Sequence, residues 1–159
     1  MSLEKLKSAH QLAAIRDEFE ATGRKLVFTN GCFDLIHVGH VRYLQEARKL
    51  GDALLVAINA DSSVRALKGQ TRPINSEADR AEVLAAMECV SYITVFTSMR
   101  VTSLIAEVRP QVYAKGGDYT VESLDQDERH ALLAAGSQIC ILPLVPGKST
   151  SAIIGKWQS

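Results

Sequence analysis

Residues 25–40 read Lys25-Leu26-Val27-Phe28-Thr29-Asn30-Gly31-Cys32-Phe33-Asp34-Leu35-Ile36-His37-Val38-Gly39-His40, and this stretch decides the architecture. Lys25 to Phe28 predicts a strand, because β-branched and aromatic residues run into Asn/Gly punctuation. From Gly39 onward, Val41, Leu44, Ala47 and Leu50 recur at helical spacing, and Gly51 supplies a stop. The two histidines therefore sit where a strand passes through a loop into a helix. Free backbone N–H groups and the positive end of the helix dipole favour an anion at such a place. Gly39 has no Cβ to hold a ligand away from the backbone. Two imidazoles there read as hydrogen-bond donors to a phosphate. A zinc centre built from Cys32, His37 and His40 is the competing chemistry. Zinc ligands come as well-spaced sets of three or four, and no second Cys/His pair accompanies these three, so phosphate is favoured.

Working outward, Leu3, Leu6, Leu12, Ile15 and Phe19 predict a helical N-terminal extension over residues 1–23, ending near Gly23. Ala53 to Asn59 is a continuous apolar run between turn signals, which suits a strand buried on both faces. A helix is expected from Ser76 to about Met87, a strand over Tyr92–Phe96 and a helix over Thr102–Val108. Gln111–Lys115 reads as a strand ending in Gly116-Gly117. A helix from about Leu124 to Ala135 leads to a strand at Gln138–Leu142, and a last helix starts near Ser149. Lys68-Gly69 reads as part of a flexible stretch ending Arg72-Pro73. Alternating strands and helices imply an α/β fold with a doubly wound, five-stranded parallel sheet and helices on both faces. Ligands of such sheets bind beyond the carboxyl ends of the strands. The polar clusters fall there, at Asn30–His40, Asn59–Asp61, Lys115–Tyr119 and Gly147–Ser151.

The chain of 159 residues fits one domain, 47% of its residues are hydrophobic, and 18 Lys and Arg balance 18 Asp and Glu. That balance argues against a broad nucleic-acid surface. No apolar run reaches membrane-span length, and the charged N-terminus lacks the apolar region of a signal peptide. Cys32, Cys89 and Cys140 follow no disulfide pattern, which suits reduced thiols and a cytoplasmic location. His10 and His130 read as solvated helix residues. Pro146-Gly147-Lys148-Ser149-Thr150 contains G-K-S, but a P-loop needs glycine five positions before Gly147, where Leu142 stands.

The H-V-G-H turn at 37–40 resembles that of the nucleotidylyltransferase superfamily, which transfers a nucleoside monophosphate from a triphosphate to a phosphorylated acceptor. With Thr29–Ile36 before it, the string is similar to the adenylyltransferase domain of heptose 1-phosphate adenylyltransferases, with glycerol-3-phosphate cytidylyltransferases as close cousins. The resemblance implies a Rossmann-like fold over a single nucleotidylyltransferase domain at 1–159. It implies catalytic roles for His37, His40, Lys68 and Arg80. Asn30, Gly31, Cys32, Phe33, Gly39, Lys115, Gly116, Ser149, Thr150 and Ser151 would bind the nucleotide. Asp34, Asn59, Asp61, Gly117, Asp118 and Tyr119 would bind the acceptor.

Each of these also has a structural reading. Ser149 is a good helix cap, Asn59-Ala60-Asp61 builds a turn, and Arg80 can pair with Glu77 or a neighbouring acid. Family members often carry Arg-Thr where this chain has Val145-Pro146, with Lys148 as a substitute charge. Lys115-Gly116-Gly117-Asp118-Tyr119 resembles the heptose enzymes more than the cytidylyltransferases. Glu88-Cys89-Val90-Ser91 likewise lacks the arginine that cytidylyltransferases carry. The resemblance further implies ATP with Mg²⁺ held mainly by substrate phosphates, a sugar 1-phosphate as acceptor, a homodimer, and a separate sugar kinase upstream.

Overall fold

A computed structural model describes residues 2–117 and 119–143, so Asp118 and the expected helix from Ser149 lie outside the described residues. A short 3-10 turn, Ser2–Lys5, precedes helix α1 (Ala9–Ala21). Five strands follow: β1 (Leu26–Gly31), β2 (Ala53–Asn59), β3 (Tyr92–Phe96), β4 (Val112–Gly116) and β5 (Gln138–Leu142). Between them run α2 (Val38–Arg48), α3 (Asp61–Lys68), α4 (Glu77–Ala85), α5 (Thr102–Val108) and α6 (Gln126–Ala135). All pairings are parallel, in the order β3-β2-β1-β4-β5.

The apolar run predicted for β2 is buried at all seven positions. Its side chains alternate between two cores, as the pleat of a strand requires. Leu55 and Ala57 join Leu12 and Phe19 of α1, Ile105 and Val108 of α5, and Leu132 of α6 on one face. Leu54, Val56 and Ile58 join Leu44 and Ala47 of α2 and Ala81, Leu84 and Ala85 of α4 on the other. The sheet is thus doubly wound, with helices on both faces and a Rossmann-like outline. Chain order reverses direction at β1, which has β2 on one side and β4 on the other. The carboxyl ends of β1, β2 and β4 therefore open into one crevice, where ligands of this architecture bind.

Two expectations change. The N-terminal extension is not one helix, because Ser8 starts α1 with a capping box. Its Oγ accepts from Gln11 N at 3.2 Å, and Gln11 Oε1 accepts from Ser8 N at 2.9 Å. The residues before it form an edge contact instead, with Leu6 bridged to Ile93 and Lys7 N donating to Ile93 O at 2.9 Å. Between the Asn59-Ala60-Asp61 turn and Ser76, where the sequence predicts no regular element, lies the eight-residue helix α3, in which only Ser63 and Val64 are buried. So short an apolar stripe gives little periodic signal, although Gly69 at its C-cap marks the stop.

Leu55 is fully buried at the centre of the sheet. Leu55→Ala is expected to cost about 2–5 kcal/mol, read as a lower urea midpoint at unchanged slope.

Candidate active site

The loop between β1 and α2 ends in an unusual helix cap. His37 is the N-cap residue, and its Nδ1 accepts a hydrogen bond from Gly39 N at 3.0 Å. His40 Nδ1 in turn accepts from His37 N at 3.3 Å. Two histidines thus do what Ser and Glu do in an ordinary capping box. The arrangement fixes the tautomers, because a neutral imidazole whose Nδ1 accepts carries its proton on Nε2. The rings lie with centroids 3.9 Å apart, and Phe33 packs against His40 at 5.1 Å. Burial pushes the His40 pKa down to about 4, with the charges of His37 and Lys68 adding to the effect. His40 is therefore a neutral Nε2–H donor at physiological pH. Phe33, which supports it, has a left-handed φ of 50°, a conformation costing of order 1–3 kcal/mol that persists where surrounding structure enforces it.

Behind this turn lies a network of buried charge. Asp34 is 2% exposed. Its Oδ2 accepts from Arg72 Nε at 2.7 Å, and its two oxygens accept from Ile74 N and Asn75 N, each contact at 2.9 Å. Burial alone raises a carboxyl pKa. The amides of Asn75 and Ile74 and the Arg72 guanidinium outweigh it and hold Asp34 below its usual value. Arg80 is 1% exposed. It donates from Nη1 to Cys32 O and Asn59 O, each at 2.8 Å, from Nε to Asn75 O at 3.0 Å, and from Nη2 to Asp61 Oδ1 at 2.7 Å. Asp61 N donates to Glu77 Oε1 at 3.0 Å, so Asp61 is the carboxylate that pairs with Arg80, and Glu77 receives the backbone amide instead.

The expected site residues separate accordingly. Asn30, Gly31, Cys32, Phe33, His37, Gly39 and His40 come together around the β1–α2 turn, with Asn59 beside them. Cys32 Sγ donates to Asn59 Oδ1 at 3.6 Å. Burial pushes the Cys32 thiol up against the opposing pull of Lys68, Arg80 and Arg72, so it stays protonated. Tyr113 OH donates to Asn30 Oδ1 at 2.8 Å, which leaves the Asn30 Nδ2 group to other partners. Lys115 and Gly116 end β4, and the Lys115 ammonium lies 4.8 Å from the centre of the Tyr119 ring. Gly116 has a packing role too, since a Cβ there would meet the Tyr43 ring at 2.9 Å. Gly117 adopts a φ of 123° and donates its N–H to Leu142 O at 3.1 Å. Lys68 is exposed at the last position of α3.

Asp34 and Arg80, expected on the acceptor and on phosphate, are instead occupied by the chain itself. Ser149, Thr150 and Ser151, like Lys148 and Asp118, lie outside the described residues. The sequence reading passed over Arg72 and Asn75. Their signal was Asp34 itself, a carboxylate flanked by Phe33 and Leu35-Ile36 that needs fixed donors if it is buried.

A profile of the cytidylyltransferase-like family matches residues 28–154, a span that contains all three strand ends and the histidine turn. The chain belongs to that family. Among curated cytidylyltransferase-like relatives, a bifunctional protein HldE of Geotalea uraniireducens is 48% identical over 96% of this chain and 31% of its own length. The bifunctional protein HldE of Wolinella succinogenes is 42% identical over 99% of this chain and 32% of its own. The chain thus spans about a third of the length of these relatives. A lipopolysaccharide core biosynthesis protein from Thermoplasma volcanium has a TM-score of 0.63 and 28% identity, covering 77% of this chain and 98% of that one. A pantoate–beta-alanine ligase from Francisella tularensis shares the fold, with a TM-score of 0.58 at 14% identity, over 92% of this chain and 68% of that one.

Two outcomes follow from the buried groups. Asp34→Ala leaves the half-buried Arg72 cation and the Ile74 and Asn75 amides without their acceptor and is expected to cost about 3–5 kcal/mol, measured by chemical denaturation. His40 binds its proton near pH 4 when folded and near its ordinary value of 6.5 when unfolded. Between these values the unfolded chain binds more protons, so stability falls as pH drops from 6.5 towards 4 and levels off below. His40→Gln is expected to flatten that part of the stability–pH curve.

Proposed function

We propose that this chain transfers the adenylyl group of ATP to a heptose 1-phosphate, releasing ADP-heptose and pyrophosphate for lipopolysaccharide core or related glycan synthesis. The observation that carries the reading is the histidine cap, which holds a neutral imidazole donor at a helix N-terminus beside the central strand end. The relatives and the Lys115–Tyr119 motif support the nucleotide and the sugar. A sugar kinase activity must supply the acceptor, and a homodimer in the cytoplasm is the working assembly.

The acceptor phosphate oxygen is already an anion and needs no general base. It attacks the α-phosphorus, a new P–O bond forms, and the bond to the β-phosphate oxygen breaks in line as pyrophosphate leaves. Catalysis is then positioning and charge stabilisation. His40 Nε2–H donates to the oxygens where negative charge grows, without first losing a charge to solvent. His37 contacts the same phosphates. Lys68, exposed at the end of α3, closes over the charge once both substrates are bound. Ser149, Thr150 and Ser151 hold the β- and γ-phosphates, while Lys115, Gly116 and the Asn30 amide face the nucleotide. Asn59, Gly117, Asp118 and Tyr119 serve the acceptor.

We reassign Arg80, Asp34 and Asp61 as positioning residues. Arg80 holds the Cys32 and Asn59 carbonyls in place, and Asp34 secures the segment after α3. With those carboxylates occupied, Mg²⁺ would be held by phosphate oxygens and water, a ligand set that suits it. When bound it supplies charge neutralisation of the leaving pyrophosphate.

Pyrophosphate release, measured with ATP or CTP against heptose 1-phosphate or glycerol 3-phosphate, tests the reading. The ATP and heptose 1-phosphate pair is expected to be preferred, and faster release with CTP and glycerol 3-phosphate would overturn it. His40→Ala is expected to lower kcat by about 10²–10³ in a protein with a native circular dichroism spectrum.

A further inference from the structure

Arg72 is a cation at the crevice that the site so far has no use for beyond its bond to Asp34. Its backbone N–H donates to Gly69 O at 3.2 Å, which places Lys68 and Arg72 on either side of one tight turn. Its side chain is 14% exposed, and its Nε is tied to Asp34 Oδ2 at 2.7 Å. Its Nη2 is buried and has no hydrogen-bond partner among the described residues. A guanidinium is a rigid planar fork, so fixing Nε confines the direction in which Nη2 donates. Asp34 does not take that donor as well: its oxygens accept from Arg72 Nε, Ile74 N and Asn75 N, and Nη2 is left over. A buried donor without an acceptor is destabilising, and such a group makes sense where the acceptor comes from outside the described residues, as from a bound anion.

The neighbours say which part of the crevice it serves. Arg72, Lys68 and Arg80 all act on the Cys32 thiol. Cys32 lies against Asn59, where β1 and β2 end. Lys115 and Gly116 end β4, on the opposite side of β1 in the strand order. Arg72 thus flanks the β2 side of the crevice, beside Asn59, which is proposed above to serve the acceptor.

We propose that Arg72 is a substrate-binding residue whose Nη2 donates to a phosphate oxygen of the acceptor. The identity of that acceptor rests on the adenylyl transfer proposed above; the anion contact does not. A phosphate monoester carries the charge and the in-plane oxygens that an arginine fork recognises. Held between Asp34 and the acceptor, Arg72 couples the tightness of the loop after α3 to the presence of that substrate.

Arg72→Lys separates this role from a structural one. Lysine keeps a cation beside Asp34 and so preserves the ion pair, but it lacks the second, rigidly placed donor. The acceptor KM of Arg72→Lys is expected to rise about 10-fold to 100-fold, with the ATP KM unchanged within about twofold. An acceptor KM equal to that of the wild type overturns the proposal, and so does a rise confined to the ATP KM. Thermal unfolding in inorganic phosphate gives a reading independent of turnover. Phosphate is expected to raise the Tm of the wild type and to raise that of Arg72→Lys much less, whereas equal shifts would count against the contact. If the wild type turned over no sugar phosphate yet kept an Arg72-dependent phosphate shift, the adenylyl-transfer reading would fail and the anion contact would stand.

Discussion

The buried guanidinium of Arg80 is the joint on which the crevice is assembled. Its fork reaches the carbonyls of Cys32 and Asn59, one just beyond the end of β1 and the other at the end of β2, together with the Asp61 carboxylate and the Asn75 carbonyl. Both carbonyls thereby gain a charged donor, as buried backbone acceptors require. The charge in turn needs all of these acceptors, because removing a guanidinium from water is costly unless its donors are matched. Two strand ends, the start of α3 and the start of α4 are thereby held in one geometry. The second clasp, Asp34 with Ile74, Asn75 and Arg72, fastens the intervening segment to the same loop.

Against this scaffold the electrostatics of the crevice divide the work between charge and direction. Lys68, Arg72 and Lys115 bring positive charge to its rim. His40 stays neutral because burial and its cationic neighbours oppose a further proton. In the proposed reaction, a neutral donor in such a position gives an incoming phosphate a directed hydrogen bond. It also avoids adding one more like charge that the empty site would have to bear.

The sheet was legible because its strands are buried and uninterrupted. Ala53 to Ile58 carries no polar break, and helices such as α2 and α4 bring a regular apolar stripe. The crevice was legible because Asn, Asp, Gly and His cluster where those runs stop. What escaped the sequence depends on contacts across long separations. Arg80 meets Cys32, and Asp34 meets Asn75, over roughly forty or more positions, and no local pattern encodes such a meeting. Helix α3 was missed for the opposite reason, since it buries too little to show a period. The histidine cap lay in plain view but read as ligand chemistry alone, because imidazole is not among the usual capping side chains.

That cap gives His37 and His40 two jobs at opposite ends of one ring. Nδ1 holds the helix start, and in the transfer proposed above Nε2 donates to phosphate. Asparagine, aspartate or serine at position 37 satisfies the first job and removes one of the two imidazoles from the second. A descendant that replaced both imidazoles with ordinary capping side chains would still start this helix with matched backbone donors. Such a descendant would keep its sheet, its crevice and its helix while the reaction disappeared, and only the imidazoles would record the change.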